Sequence, residues 1–429
     1  MHYKSLLFIC CFCLIVSCKQ EEGCGEQHTF EPSDIGFTYE NLTHELYQIE
    51  SVEALEVFFE HHPIVKNQFF AFGNLMPEQA FLNELLKFTQ SPLVKELYQV
   101  QNYSEFANEL EQNRTIREFL TFLWLKENPG KSDQDVFELL SRSEITNQNN
   151  VEQIAQYLDA HPEERLYYEV IFEFVSAEDL LRQNFSILQN EGIDTIYREI
   201  LQVFDADALA FEIGAAFQNI KQNFPDFKPP HVKFIYSAFG KDMYLTDSTL
   251  VIGLDYFLGE GATYRPNIYE YLLNRMKPEY IVPQVVQYVS LAYNPSSALG
   301  NTMLDEMIYH GKALAFTKAV LPCIPDSIIM GYNQQDFANA TVSEPVIWSH
   351  FLENELVYQE NPNLITKYVD ERPNVPEIDP RCPGRIGRFI GWQIVKNFQD
   401  NEEKQLFDLM KENDSQHILR RSKYNPRLP

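Results

Sequence analysis

Apolar residues return every three to four positions through much of the first half of the chain. Phe81-Leu82, Leu85-Leu86 and Phe88 follow that spacing, as do Phe106, Leu110 and the run Phe119-Leu120-Phe122-Leu123-Trp124. This is the signature of helices that bury one face. Residues from about 43 to 221 read as helix almost throughout. Breakers at Pro63, Pro77, Pro92, Pro129-Gly130 and Pro162 divide them into helices of roughly ten to twenty residues. Ser132 followed by Asp135 has the form of a helix start, where a side-chain oxygen serves free N–H groups.

The pattern changes at Phe224-Pro-Asp-Phe-Lys-Pro-Pro, whose prolines stop a helix and favour extended backbone. Val232-Lys-Phe-Ile-Tyr-Ser then reads as a strand, followed by a turn at Phe239-Gly-Lys. Met243-Tyr-Leu, the turn Asp247-Ser and Thr249-Leu-Val-Ile-Gly-Leu-Asp255 read as a second strand, a turn and a third strand. Helical spacing resumes near Ile268 and continues to the C-terminus. A small sheet flanked in sequence by helices predicts an α+β fold that is predominantly α-helical.

The N-terminus follows a different rule. Lys4 precedes eleven apolar residues, 6–16, and then Ser17-Cys18. Eleven residues are too few to span about 30 Å of hydrocarbon as a helix, so residues 1–17 read as a secretory signal peptide. Ile15-Val16-Ser17-Cys18 resembles a bacterial lipobox, which makes Cys18 the expected lipidation site and the anchor to a membrane. Residues 18–30 read as a polar tether. Of the remaining cysteines, Cys24, Cys323 and Cys382, an odd number cannot form a complete disulfide framework. A Cys323–Cys382 bridge and buried free thiols are both open.

Charge narrows the function classes. Lys plus Arg number 34 and Asp plus Glu 62, a net charge of −28, which disfavours nucleic acid and docking on anionic lipid. Glycine is scarce, 17 residues in 429, and no Gly-rich phosphate loop or Gly-x-Ser-x-Gly elbow is present. No cofactor is expected.

A string of phrases in the C-terminal half carries a resemblance. Phe224-Pro-Asp-Phe-Lys, Ile252-Gly-Leu-Asp-Tyr-Phe-Leu-Gly259, Pro278-Glu-Tyr-Ile-Val-Pro283 and Met307-Ile-Tyr-His-Gly-Lys312 come first. Val320-Leu-Pro-Cys-Ile-Pro-Asp-Ser327, Pro383-Gly-Arg-Ile-Gly, Gly391-Trp-Gln-Ile-Val395 and Ser422-Lys-Tyr-Asn-Pro426 follow. In this order they resemble the gliding-motility lipoprotein family GldB. The resemblance fades upstream of 224 and is absent before about 180. It divides the mature chain into an expanded helical region, 31–180, and a family-like core, 181–429. The resemblance implies a cell-envelope lipoprotein of the Bacteroidota, on the outer membrane with a periplasmic or surface-facing body. Its implied partners are other proteins of gliding and of the linked type IX secretion machinery.

Such chains also resemble, distantly, zinc metallopeptidases in which a sheet precedes a helix bearing His-Glu-x-x-His. Here the matching stretch is Asp305-Glu306-Met307-Ile308-Tyr309. Asp305 and Tyr309 replace both imidazoles, while Glu306 keeps the general-base position. A carboxylate and a phenol make a poor zinc pair, so the expectation is a zincin-like core without metal, acting through protein contacts and not as an enzyme. The alternative is a lipid-anchored, metal-dependent hydrolase with an atypical site around Glu306 and His310, to which His350, Glu353 and Glu355 could add ligands.

Pro383-Gly-Arg-Ile-Gly-Arg-Phe-Ile-Gly-Trp is the other marked segment. Gly387 and Gly391 lie four apart on one helical face and predict close approach of the helix around residues 305–316. Arg385 and Arg388 are conspicuous cations in an acidic chain, with Asp305 or Glu306 as expected partners. His310, Arg385, Arg388 and Trp392 form the candidate interaction cleft.

Overall fold

The computed structural model describes residues 35–294 and 300–427. Its described part is helical with one four-stranded sheet, the α+β arrangement that the periodicity predicts. Two compact units are present: residues 43–194, and the described residues up to 42 together with those from 195 onward. The signal peptide, the tether and Cys18 lie outside the described residues. No described helix is long and apolar enough to cross a membrane.

Residues 43–194 form a purely helical unit. The helices Glu78–Thr89 and Tyr103–Gln112 bury Phe81, Leu82, Leu85, Phe106 and Leu110 in one core with Leu120, Tyr167 and Tyr168. Phe81 stacks on Phe174 with ring centres 4.4 Å apart. Phe122 departs from the expected pattern. It is 64% exposed, whereas Leu120 is fully buried: residues two positions apart on a helix point to nearly opposite sides, and residues Glu118–Phe122 form a π-turn. Pro63, Pro92 and Pro162 each open a helix, Pro63–Phe69, Pro92–Tyr98 and Pro162–Ile171, where the missing N–H costs nothing. Ser132 and Asp135 form a complete capping box. Asp135 accepts from the Ser132 backbone N–H at 2.8 Å and from its hydroxyl at 2.9 Å.

The second unit contains strands β1 (Tyr39–Asn41), β2 (His231–Ile235), β3 (Met243–Leu245) and β4 (Thr249–Gly253), in spatial order β1-β2-β4-β3. β1, β2 and β4 are parallel, with Tyr39 opposite Val232 and His231 opposite Thr249; β3 runs antiparallel to β4. All five residues of β4 are buried, as a strand covered on both faces requires. β1 lies in the stretch expected to be helical. Its three residues, Tyr-Glu-Asn, are too short and polar to show a period of two. Its place is set by contacts made at a distance in sequence, with Glu40 accepting from Lys233 at 2.8 Å and Leu42 N–H donating to the Phe234 carbonyl at 2.8 Å.

The chain after the sheet supplies helices α1 (Ile281–Ser290), α2 (Met303–Val320), α3 (Pro362–Val369), α4 (Ile386–Glu402) and α5 (Leu406–Lys411). α2 is buried on nearly every face, and α4 crosses it. A side chain at Gly391 would overlap the backbone of Met307, and one at Gly311 would overlap Gly391. The expected close approach therefore belongs to Gly391. Gly387 faces α3 instead, where an added Cβ would lie 3.1 Å from the Tyr368 carbonyl oxygen. Cys382 is a free, buried thiol, so it forms no bridge with Cys323.

Asp255 follows β4 and is buried. One carboxylate oxygen accepts the backbone N–H groups of Ser237 and Phe239, at 3.2 and 2.6 Å. It thereby holds a turn in which Ala238 and Phe239 both adopt positive φ, a strained conformation for residues with side chains. The other oxygen is buried without a hydrogen-bond partner among the described residues. Burial pushes the Asp255 carboxyl up to about 6. Between its ordinary 3.8 and about 6 the folded chain holds a proton that the unfolded chain has released, so this group's contribution to stability falls as pH rises through that window. Asp255→Asn, which keeps an acceptor oxygen and cannot ionise, is expected to remove that fall. Urea unfolding of both proteins across the window reads the difference in slope.

Candidate functional site

Asp305, Glu306 and Tyr309, the residues expected at the zinc-motif positions, lie on the first two turns of α2. Thr302 caps the helix: its hydroxyl accepts the Asp305 N–H at 3.2 Å, while Asp305 accepts the Thr302 N–H at 2.9 Å and its hydroxyl at 2.6 Å. The second Asp305 oxygen accepts the hydroxyl of Ser415. Both oxygens of Asp305 are thus committed to holding helix termini.

Glu306, one residue on, has a side chain 38% exposed. Burial and then the negative Asp370 raise its carboxyl, against the pull of Arg388. Tyr309 is raised by burial and by Glu306, so its phenol stays protonated at neutral pH. His310 Nε2 lies 3.9 Å from a Glu306 oxygen, too far for a hydrogen bond. Burial, followed by repulsion from Arg388 and Arg385, brings His310 down to about 2. The imidazole is neutral and Glu306 and His310 are not an ion pair. His350 Nε2 is 3.0 Å from the Tyr368 hydroxyl. Among the described residues no group of three or more His, Cys, Asp or Glu side chains is arranged to hold a metal, so Glu306, His310, His350, Glu353 and Glu355 are not brought together as one ligand set.

Arg385 and Arg388 stand at the start of α4. Their expected pairing with Asp305 or Glu306 is not what forms, because Asp305 is already committed and nearer acceptors exist. Arg385 donates to the Gly331 carbonyl at 2.8 Å, lies 3.5 Å from Glu371 and stacks over Tyr332. Arg388 donates to the Val369 carbonyl at 2.6 Å and lies 3.9 Å from Asp370. Glu371 also accepts from Arg275 at 2.7 Å. Burial alone would raise the Glu371 carboxyl, but Arg385 and Arg275 outweigh it and hold it below the ordinary range. Burial, with Arg275 beside it, lowers Arg385 to about 10, and burial also lowers Arg388. Both remain charged at neutral pH.

Between these elements lies a cavity of about 340 Å³. Its wall includes Arg275, Tyr309, His310, Arg385 and Arg388, with Tyr280 and Tyr288 from the segment around α1. Three residues of the expected cleft, His310, Arg385 and Arg388, therefore share one cavity. Trp392 does not line it; it is 3% exposed and buried where α4 crosses α2. Sequence reasoning missed Arg275 and Glu371, which meet across 96 positions. The only local signal is that Arg275 stands just before the phrase Pro278-Glu-Tyr-Ile-Val-Pro283.

Comparison with known proteins adds one finding to this geometry. A family model described as gliding motility protein GldB matches residues 130–426. The match begins inside the 31–180 stretch, well upstream of the point where the resemblance is lost to the eye. No curated protein and no solved structure matches the chain.

Proposed function

The chain belongs to the gliding motility protein GldB family, and from that premise we propose that it is a non-enzymatic envelope lipoprotein working through contacts with other proteins of the motility and type IX secretion machinery. Membership makes it a protein of a gliding-motility lipoprotein family. The lipid on Cys18, the outer-membrane location and the metal-free, metallopeptidase-like scaffold are parts of the proposal.

The observation that supports it is the state of Asp305. A residue in the place of a zinc imidazole has both oxygens engaged, by Thr302 and by Ser415. Using it as a ligand would give up the reciprocal half of the capping box, its bonds to the Thr302 N–H and hydroxyl, at a cost of roughly 1 kcal/mol. The hydrolase reading draws on a different observation, the proximity of Glu306 and His310 at 3.9 Å beside a cavity. Spreading of a deletion strain on soft agar separates the two. The deletion is expected to abolish spreading, and a copy carrying Glu306→Gln with His310→Ala is expected to restore it at least to about half the wild-type rate. Failure of a stably expressed double variant would favour the hydrolase, and normal spreading of the deletion strain would remove the motility role.

A further inference from the structure

Three guanidinium groups converge on one cavity in a chain of net charge −28. Five N–H donors on each meet few protein acceptors. Arg275 has Glu371; Arg385 has Gly331 and Glu371; Arg388 has the Val369 carbonyl and, at 3.9 Å, Asp370. Most of the donors on Arg388 remain available to a molecule in the cavity.

Charge decides what kind of molecule. Three arginines stand against Glu371 and the wall residue Asp242, which leaves one positive charge. Asp370 and Glu306 are nearby, but their side chains are 58% and 38% exposed, and solvent screens them. One unneutralised charge in a partly buried site suits a monoanion better than a dianion. A planar fork of N–H donors matches the two oxygens of a carboxylate. Apart from the amides of Gln284 and Gln287 and the imidazole of His310, the rest of the wall is mainly apolar or aromatic, including Met276, Leu291 and Ala313, and the volume falls in the range of small-ligand sites.

We propose that this cavity binds an organic carboxylate, its head on Arg385 and Arg388 and its apolar body against Met276, Leu291 and Ala313. The neutral imidazole of His310 offers a further hydrogen bond without adding charge. The carboxylate can be that of a free small molecule or the C-terminus of a polypeptide, since both present the same group. The assignment goes beyond the partner-binding reading and does not need it, because spreading and carboxylate binding are separate measurements.

Calorimetric titration of the full chain tests it with 4-phenylbutyrate, its amide, phenyl phosphate, and a short peptide ending in phenylalanine with a free or amidated C-terminus. The acid is expected to bind at least tenfold more tightly than the amide. Arg388→Gln is expected to remove that preference, and Arg388→Lys to keep part of it. A free-ended peptide stronger than phenylbutyrate identifies a chain terminus as the source, and the reverse order identifies a small molecule. Equal affinity for acid and amide, or tighter binding of doubly charged phenyl phosphate, overturns the proposal. Should Arg388→Gln fail to fold by near-ultraviolet circular dichroism, the acid–amide comparison on the unaltered chain decides alone.

Discussion

Gly391→Ala is expected to cost at least about 3 kcal/mol of stability and to lower the yield of soluble protein sharply. An alanine in a helix interior gains roughly 1 kcal/mol over glycine by propensity. Here that gain is overwhelmed, because the new methyl would occupy the position of the Met307 carbonyl on α2. The obstacle is backbone, so no rotamer change relieves it and the two helices must separate. Separation disturbs the packing of two helices that bury Ile390, Ile394 and Val395 on α4 and Met307, Ile308 and Leu314 on α2. Gly387→Ala is the control on the same helix. Its methyl meets neighbours at 3.1 Å, which small shifts can accommodate, so its cost is expected to stay below about 1.5 kcal/mol. Urea unfolding monitored by tryptophan fluorescence distinguishes the two. Equal midpoints for both variants would refute this account of the crossing.

Lys312→Met is expected to destabilise the chain by about 3 kcal/mol. Lys312 is wholly buried, and its ammonium donates to the carbonyls of Met410 and Glu412 at 2.9 and 2.8 Å, at the C-terminus of α5. Helix ends leave carbonyls without partners, and here a side chain from α2 supplies them. Methionine fills similar volume but strands two acceptors. The pH dependence provides a second signature. Burial lowers Lys312 from its ordinary 10.5 to about 8. Across that interval the unfolded chain holds a proton that the folded chain has released, so the contribution of this group to stability rises with pH. The methionine variant should lose that rise, and thermal midpoints measured from pH 8 upward would show it.

Much of the helical unit was legible because helix formation and burial leave local marks. Phe81, Leu82 and Leu85 share a face by spacing alone, and Ser132 with Asp135 carries its capping chemistry within four residues. Strands β2, β3 and β4 were legible for the same reason, as short apolar runs between turn residues. β1 was not. Three polar residues become a strand only because β2 presents an unpaired edge, and sequence does not record that edge. Phe122 shows the complementary failure, an apolar residue of a helical run that faces solvent because it stands two positions from buried Leu120.

The candidate site was legible in part. His310, Arg385 and Arg388 stood out by residue type and share a cavity, whereas Trp392 went to the core. The expected partners of the arginines were wrong, since Asp305 had already been used to cap α2. Arg275 and Glu371 carried no signal of their own, because an ion pair between distant segments has no sequence spacing.

By itself the sequence determined the secondary-structure class, the helix starts, the acidic character and the order of phrases that mark the family. Those properties depend on neighbours within a few positions or on composition. Tertiary structure alone decided which of two glycines takes the helix crossing, which carboxylate neutralises which arginine, and that three guanidinium groups share one cavity. These depend on distances between segments far apart in the chain, and packing and electrostatics act on such distances without regard to sequence separation.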